Sequence, residues 1–215
     1  GAASTLVAAG SDASVLLLEK MPRPGRKIMI TGKGRCNFTN VKDWNAFSAH
    51  VRTNPNFIKP AFYNLTPEKL MEFFASVGME SVVERGDRAY PASYHSTDVI
   101  DALVRACHGV GVKIESNAEV TSCHSGPDEE RSFTISTSDG RTFNCRRLII
   151  ATGGLSYPNT GSTGDGYRFA QDAGHSITPL FPSLTALVPR GYKLTTPDNQ
   201  ALTENRLVKT HQTTL

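Results

Sequence analysis

Two stretches of the chain carry apolar residues at the spacing of an amphipathic helix. The first opens with Thr66, Pro67 and Glu68, an N-cap followed by a proline and an acid of the first turn. Its apolar positions are Leu70, Phe73, Phe74 and Val77, and Gly78 ends it. The second begins near Ser96 or Thr97 and ends at Gly109. Its apolar side is formed by Ile100, Leu103, Val104 and Cys107.

Other stretches have the patterns of strands. Residues 15–18 and 148–150 are continuous apolar runs, which is typical of strands buried on both faces of a parallel sheet. A further strand is predicted around residues 112–115. Alternating residues on either side of Asp139-Gly140 predict an antiparallel hairpin; they are Phe133, Ile135, Thr137, Phe143 and Cys145.

The intervening segments are less regular. Residues 21–40 are rich in Gly, Pro, Arg, Lys and Asn, and we expect a long structured loop there rather than a helix or strand. A short helix is predicted over residues 167–173, with Asp165 placed to cap it. The last residues are polar, so residues 190–215 are predicted to be a divergent and poorly ordered tail.

Composition narrows the class of protein. A length of 215 residues with 39% hydrophobic content suits one domain, or one domain and a fragment. The net charge is +3, but 23 basic and 20 acidic residues are interspersed, which argues against a nucleic-acid surface. The four cysteines have neither disulfide-like nor metal-like spacing, which favours a reduced, cytoplasmic setting without a metal. No apolar run approaches membrane-spanning length, so no membrane partner is expected.

The first residues have the pattern of half a dinucleotide-binding turn. Gly1, Ala2, Ala3 and Ser4 match the second part of GxGxxG, as if the strand before them were missing. Glu19 follows the next predicted strand, where an acid commonly binds ribose hydroxyls. The alternative is a solvated acid at the end of a strand.

The loop from Gly25 to Asn40 combines glycines with cations and amides. Arg and Lys neutralise phosphate, while Asn and main-chain amides can donate to the edge of an isoalloxazine ring. An ordinary basic surface loop is the alternative, and residue types alone do not separate the two. The small-residue turn Ala151-Thr152-Gly153-Gly154 after an apolar run is a second place where a backbone can approach a ligand closely.

Three segments together resemble one known family. They are residues 25–40, the motif Asp87-Arg88-Ala89-Tyr90-Pro91 with Ser93, and the long run from Ala151 to Gly166. In this order they are similar to the BaiN/RdsA-type family of NAD(P)/FAD-dependent oxidoreductases, over the N-terminal half of a member. The resemblance implies an α/β fold: a Rossmann-type FAD-binding domain of the glutathione-reductase class, with an antiparallel β-meander. It places that domain at residues 1–189, lacking its first strand, and leaves a second, inserted domain largely absent.

The resemblance also implies which residues bind the cofactor. Gly1, Ala2 and Ala3 would lie at the pyrophosphate and Glu19 at the adenosine ribose. The other implied cofactor-binding residues are Lys20, Arg26, Lys27, Gly32, Gly34, Arg35, Cys36, Asn37, Val120, Ala151, Thr152 and Gly153. Cys36 could be redox-active beside a flavin, but no second cysteine lies near it in sequence, and a small buried thiol is favoured. No catalytic residue is assigned.

The resulting functional hypothesis is an FAD-dependent oxidoreductase. FAD would take electrons from NAD(P)H and reduce an unsaturated organic small molecule, as the family resemblance implies. The alternative is a truncated, non-catalytic nucleotide-binding fragment, and RNA binding is a third reading that the mixed charge disfavours. The substrate, the choice between NADH and NADPH, and the oligomeric state do not follow from the sequence.

Overall fold

The computed structural model describes residues 13–126 and 132–181. Its helices are α1 (Arg26–Ile30), α2 (Trp44–Ser48), α3 (Pro55–Asn64), α4 (Pro67–Ser76), α5 (Ser96–Gly109) and α6 (Asp165–Asp172). Its strands are β1 (Leu16–Leu18), β2 (Thr39–Asn40), β3 (Ser81–Glu84), β4 (Arg88–Pro91), β5 (Lys113–Glu115), β6 (Val120–Ser125), β7 (Phe133–Thr137) and β8 (Thr142–Cys145). Gly1, Ala2, Ala3 and the predicted tail lie outside the described residues.

The chain divides into two compact units. The N-terminal unit contains Arg23–Glu115 together with the described residues up to Leu17. The C-terminal unit contains Leu18–Pro22 and the chain from Ser116 onward.

In the N-terminal unit, the two predicted helices form as expected. The Thr66 side chain accepts a hydrogen bond from Lys69 N and caps α4, and Pro67 occupies its first turn. Helix α5 covers Ser96–Gly109, the range that the apolar spacing predicts. A three-stranded sheet in the order β2-β4-β3 adds two antiparallel pairings that the sequence pattern did not predict.

The core of this unit lies among α1, α4 and α5. Its buried members are Cys36, Phe74, Met79, Val99 and Ala102. Phe38 packs edge-on against Phe74, with 5.0 Å between ring centroids. Strands β1 and β5 form a separate two-stranded sheet, and β5 confirms the strand predicted around residues 112–115.

In the C-terminal unit, three strands pair antiparallel in the order β6-β7-β8. The predicted hairpin is observed, since Phe133 pairs with Cys145 and Ile135 with Phe143. Its turn is fixed by Asp139, whose carboxylate accepts hydrogen bonds from the Thr137 hydroxyl and the Arg141 guanidinium. The Arg141 and Thr137 hydrogen bonds hold the pKa of Asp139 well below its usual range.

Two sequence-based expectations are corrected. Residues 21–40 are not loop throughout, because they contain α1, a 3-10 turn at Thr31–Gly34 and β2. The short helix α1 forms because tertiary contacts hold it: the Ser96 hydroxyl donates to Met29 O at 3.1 Å, and Ile28 packs on the core. Such contacts override a Gly- and Pro-rich composition.

The strand predicted at residues 148–150 is absent. Ile149 is 55% and Ile150 43% exposed, and none of the described strands pairs with this segment. An apolar run forms a strand only where a neighbouring strand completes the hydrogen bonds of its backbone. The hydrophobic pattern does not reveal whether such a neighbour is present. Separately, the part of the chain that the structure describes contains no helix with the length and hydrophobicity of a membrane span.

Candidate functional site

In the C-terminal unit, a glycine-rich loop contacts the segment that follows β1. The Lys20 ammonium donates to Asp165 Oδ2 at 2.8 Å and also to the Thr163 hydroxyl. Gly161, at φ +94°, lies so close to Met21 that a Cβ there would be 2.9 Å from Met21 Cγ. Because both contacts involve the same loop, residues 161–166 fix the chain just beyond β1.

The same loop contacts the small-residue turn after Ile150. A Cβ on Gly166 would lie 2.7 Å from Thr152 Oγ1, and a Cβ on Gly153 would lie 3.1 Å from Ser162 Oγ. A side chain at either position would displace one of these hydroxyl groups, so glycine permits the close approach of the two segments. The structure thus brings the segment after β1 and the turn at residues 151–154 to one glycine-rich loop, although Ile150 ends no strand.

Glu19 is fixed at the end of β1 by main-chain contacts. Its Oε1 accepts the Met21 N–H at 2.9 Å, and its carbonyl accepts the Ala118 N–H at 2.9 Å. The Met21 carbonyl accepts the Asn117 N–H at 3.1 Å, which extends the contact toward Val120 at the start of β6. Burial raises the pKa of Glu19, partly offset by the Met21 hydrogen bond.

The Lys20–Asp165 ion pair is mostly buried, with side chains 19% and 23% exposed. Burial acts to raise the pKa of Asp165, but hydrogen bonds from Lys20 and Thr163 outweigh it and hold that pKa below its usual value. The expectation that Asp165 caps α6 is corrected: Gly164 is the N-cap, and Asp165 is the first helical residue. Its carboxylate pairs with Lys20, and the left-handed Gly164 (φ +83°) begins the helix without a side-chain cap.

In the N-terminal unit, the loop that follows α1 is built from left-handed backbone. Gly32, Lys33, Gly34 and Cys36 all have positive φ, between +55° and +84°. A Cβ on Gly32 would lie 2.9 Å from Asn37 N, so only glycine fits there. The right-handed Arg35 followed by the left-handed Cys36 has the alternation found in anion-binding loops. The N–H groups of these two residues donate within the turn, to the carbonyls of Gly32 and Thr31. Strain of this kind concentrates at functional sites.

The side chains of this loop have protein partners. The Arg35 guanidinium lies 4.6 Å from the ring centroid of Tyr90 and 5.6 Å from that of Tyr94, and pairs with Glu84 at 3.4 Å. A hydrogen bond with Glu84 is the main cause that raises the pKa of Tyr94. With its amide oriented to match its surroundings, Asn37 donates to the Thr39 carbonyl at 2.8 Å and to that of Ala89 at 3.2 Å.

Cys36 is buried in the core of the N-terminal unit and is 4% exposed. Burial raises the pKa of its thiol, and a hydrogen bond with Thr31 opposes that shift. A raised pKa lowers the thiolate fraction, which matches a small buried thiol better than a reactive one. Nearby, Arg26 is exposed, and partial burial lowers the pKa of Lys27.

The predicted residues therefore fall into two sets. The C-terminal unit contains Glu19, Lys20, Val120, Ala151, Thr152 and Gly153. The N-terminal unit holds Arg26, Lys27, Gly32, Gly34, Arg35, Cys36 and Asn37. Sequence reasoning missed Glu84 and Thr163, the partners of Arg35 and Lys20, because residues 49 and 143 positions apart leave no local signal. Among the described residues, no group of three or more His, Cys, Asp and Glu side chains could hold a metal ion.

Curated relatives match most of this chain. A 3-dehydro-bile acid delta(4,6)-reductase from Clostridium scindens is 33% identical over 193 residues, covering 87% of this chain and 46% of the relative. A ribosomal RNA dihydrouridine synthase from Escherichia coli is 32% identical over 175 residues, covering 81% and 41%. The chain thus spans less than half the length of these relatives.

Comparison with solved structures adds little. The Diels-Alderase PyrE3 of pyrroindomycin biosynthesis aligns with 71% of this chain and 31% of its own, with 13% identity and a TM-score of 0.41. That similarity is too low to carry an argument about the fold.

The family assignment rests on the sequence instead. The model of the HI0933-like protein Rossmann domain matches residues 1–211, and so confirms the resemblance drawn from the three motifs and the Rossmann-type, mixed α/β character of the chain. The chain therefore belongs to the HI0933-like protein Rossmann domain family.

Proposed function

We propose that this chain is the FAD-binding part of an oxidoreductase that reduces a carbon–carbon double bond conjugated with a carbonyl group. Bound FAD would supply the hydride chemistry, with NAD(P)H as the electron donor. We place the FAD-binding domain, of the glutathione-reductase class, at residues 1–189. The chain's own residues would bind and orient the dinucleotide, and none is proposed as a catalytic acid.

One observation carries the proposal: in the C-terminal unit, the segment after β1 and the turn at residues 151–154 contact the same glycine-rich loop. A dinucleotide site needs an acidic residue for the ribose and close main-chain approach at a small-residue turn. Glu19 and Gly153 supply these two features. Burial removes part of the solvation of the Glu19 carboxylate. Hydrogen bonds donated by ribose hydroxyls would replace part of that solvation.

The loop in the N-terminal unit also fits a flavin nucleotide. Its left-handed residues, Gly32, Lys33, Gly34 and Cys36, form a tight turn in which the main chain can approach a polar ring edge closely, and a side chain at Gly32 would collide with Asn37 N. The Lys20 ammonium, by contrast, is already paired with Asp165. We therefore expect Lys20 to hold the loop at residues 161–166 in place rather than to neutralise phosphate directly.

The names of the relatives support the choice of acceptor. A 3-dehydro-bile acid with double bonds at positions 4 and 6 has those bonds conjugated with its ketone. Dihydrouridine is uridine with hydrogen added across the double bond next to its carbonyl. Both acceptors are electron-poor double bonds, the kind to which a hydride adds at the carbon remote from the carbonyl. We propose this shared chemistry, and neither particular molecule, for the present chain.

FAD binding tests the proposal directly. We expect the purified chain to bind FAD, seen as quenched flavin fluorescence and a shifted visible spectrum. Glu19→Gln should weaken FAD binding by about tenfold or more, since a hydrogen bond to a charged group contributes about 1.5–3 kcal/mol. The matched control is Glu119→Gln, an exposed acid of the same unit.

FMN separates the role of the ribose acid from a general effect on folding. FMN lacks the adenosine half of FAD, so Glu19→Gln should leave FMN or riboflavin affinity unchanged. A chain that binds no FAD would overturn the proposed function. Equal losses in the Glu19 and Glu119 variants would overturn the assignment of Glu19 to the ribose.

A further inference from the structure

Tyr94 has a backbone conformation that a bulky residue rarely adopts. Its φ is +59°, in the left-handed region, and its main-chain N–H donates to the Pro91 carbonyl at 2.9 Å. The side chain is 38% exposed, so burial of the ring does not by itself explain this unfavourable backbone. Strained residues that are not glycine concentrate at functional sites, which directs attention to the groups around the Tyr94 hydroxyl.

Three other side chains surround Tyr94. Its hydroxyl donates a hydrogen bond to the Glu84 carboxylate, which also pairs with Arg35 at 3.4 Å. The Arg35 guanidinium lies 4.6 Å from the ring centroid of Tyr90 and 5.6 Å from that of Tyr94. The centroids of the two tyrosine rings are 6.1 Å apart. We call these four side chains the tyrosine cluster.

The tyrosine cluster lies against the loop that follows α1. Tyr90 on β4 is buried, and a Cβ on Gly32 would be 3.5 Å from Tyr90 Cε1. Arg35 belongs to that loop. Tyr94, Arg35 and Glu84 are all partly exposed, so a small molecule can reach the Tyr94 hydroxyl. The cluster therefore presents a phenol beside the loop that we propose for the flavin.

We propose that the Tyr94 hydroxyl binds the carbonyl oxygen of the acceptor molecule. This inference rests on the proposed function and adds a residue that would recognise the acceptor. A hydride that adds to the remote carbon of a conjugated carbonyl compound moves the electron pair of the double bond toward the oxygen, which becomes an enolate oxygen. NAD(P)H supplies the hydride through the flavin, and water supplies the proton that completes the reduction. Tyr94 donates a hydrogen bond to the enolate oxygen and keeps its own proton.

The charges of the tyrosine cluster are compatible with this role. A lone Glu84 carboxylate would repel an enolate oxygen, but the Arg35 cation pairs with it and offsets that repulsion. When the Tyr94 hydroxyl turns toward the acceptor, Glu84 keeps Arg35 as its partner. The hydrogen bond with Glu84 raises the pKa of Tyr94, so the phenol is protonated at neutral pH and can donate.

The anion para-nitrophenolate tests this site without any turnover. It is a planar ring with a negatively charged oxygen, the same charge that the acceptor oxygen acquires, and its colour depends on its ionisation. We expect the chain to bind it, both alone and with FAD added. Because a hydrogen bond from Tyr94 favours the anion, binding should lower the pKa of the nitrophenol, which is measured as deeper colour at a fixed, slightly acidic pH.

Substitutions then locate the hydroxyl that binds. Tyr94→Phe removes only the hydroxyl and should weaken para-nitrophenolate binding by about tenfold or more, since hydrogen bonds to charged groups are strong. The matched control is Tyr63→Phe, an exposed tyrosine of the same unit, which should leave the affinity unchanged. Glu84→Gln removes the repelling charge and should tighten binding about two- to fivefold. Circular dichroism verifies that the three variants fold.

Three results would overturn this inference. One is that para-nitrophenolate does not bind at up to about 1 mM, with or without FAD. Another is equal affinity for the parent chain and Tyr94→Phe, and the third is an equal loss in Tyr63→Phe and Tyr94→Phe. Failure of the proposed function is distinguishable from all three, because it is measured separately as the absence of FAD binding. Binding of para-nitrophenolate that depends on Tyr94 would still establish the site in that case.

Discussion

Replacing Gly32 by alanine tests whether the loop after α1 depends on left-handed backbone. Gly32 has φ +55°, and a Cβ at this position would lie 2.9 Å from the backbone nitrogen of Asn37. That nitrogen belongs to the main chain and cannot rotate away as a side chain would. Gly32→Ala must therefore shift the loop or break its left-handed conformation.

The loss of stability expected for Gly32→Ala follows from two unfavourable terms and one favourable term. The left-handed conformation costs an L-residue about 1–2 kcal/mol, and forcing a methyl group into a packed position adds about 1–3 kcal/mol. The loss of flexibility in the unfolded chain returns about 0.4–1 kcal/mol. We expect Gly32→Ala to lower the free energy of unfolding of the N-terminal unit by about 2–4 kcal/mol.

Two other glycines of the same unit separate these terms. Gly34 has φ +84° but nothing within 4 Å of its Cβ position, so Gly34→Ala keeps the conformational cost without the collision. It should cost about 1 kcal/mol. Gly109 ends α5 with ordinary φ and open space around it, and Gly109→Ala should stabilise by about 0.5–1 kcal/mol.

Urea unfolding followed by Trp44 fluorescence measures all three variants, since Trp44 lies in the same unit as the three glycines. The expected order of stability is Gly109→Ala, the parent chain, Gly34→Ala and Gly32→Ala. If Gly32→Ala were no less stable than Gly34→Ala, the contact with Asn37 N would have no energetic consequence. The argument that only glycine fits at position 32 would then fail.

Two further predictions concern titratable groups. Because the pKa of Asp165 is lowered in the folded chain, its ionised form stabilises the fold above its ordinary titration range, and this stabilisation disappears as the pH falls below about 4. Asp165→Asn should therefore lower the free energy of unfolding by about 1.5 kcal/mol near neutral pH and by little in acid. Urea unfolding followed by circular dichroism measures this difference. If the free energy of unfolding of the variant depended on pH in the same way as that of the parent chain, the pairing with Lys20 would be contradicted. Cys36 and Cys107 are 4% and 1% exposed, and burial raises the pKa of both thiols. A thiol reagent should therefore modify these two cysteines only after unfolding. It should modify Cys123, which is more exposed, before either of them. Rapid labelling of Cys36 in the native chain would contradict its burial.

The elements that the sequence predicts well are those with local signals. Helix α4 is bounded by a Thr66 cap, a Pro67 start and a terminal glycine, all within the segment itself. The hairpin of β7 and β8 likewise has its turn at Asp139-Gly140 between two alternating strands. These patterns do not depend on distant parts of the chain.

The misses have the opposite character. Helix α1 exists because α5 packs against it, and the run at residues 148–150 is no strand because no described strand pairs with it. Asp165 has the position and side chain of a cap, yet it binds Lys20, 145 residues away. In each case, a contact distant in sequence decides the structure, and local propensity cannot reveal it.

The same distinction bears on how the candidate site would recognise a ligand. Three side chains predicted to bind the cofactor already have protein partners: Lys20 pairs with Asp165, Arg35 with Glu84, and the Asn37 amide with two carbonyls. Each would have to give up a partner before it could bind a phosphate or a ring edge, and breaking a partly buried pair has a cost that the ligand must offset. At Gly32 and Gly153 the backbone itself can approach a ligand closely, because no side chain is present. We therefore expect ligand affinity to respond more to substitutions at these glycines than to substitutions of Lys20 and Arg35, whose larger effect should be on the stability of the loops.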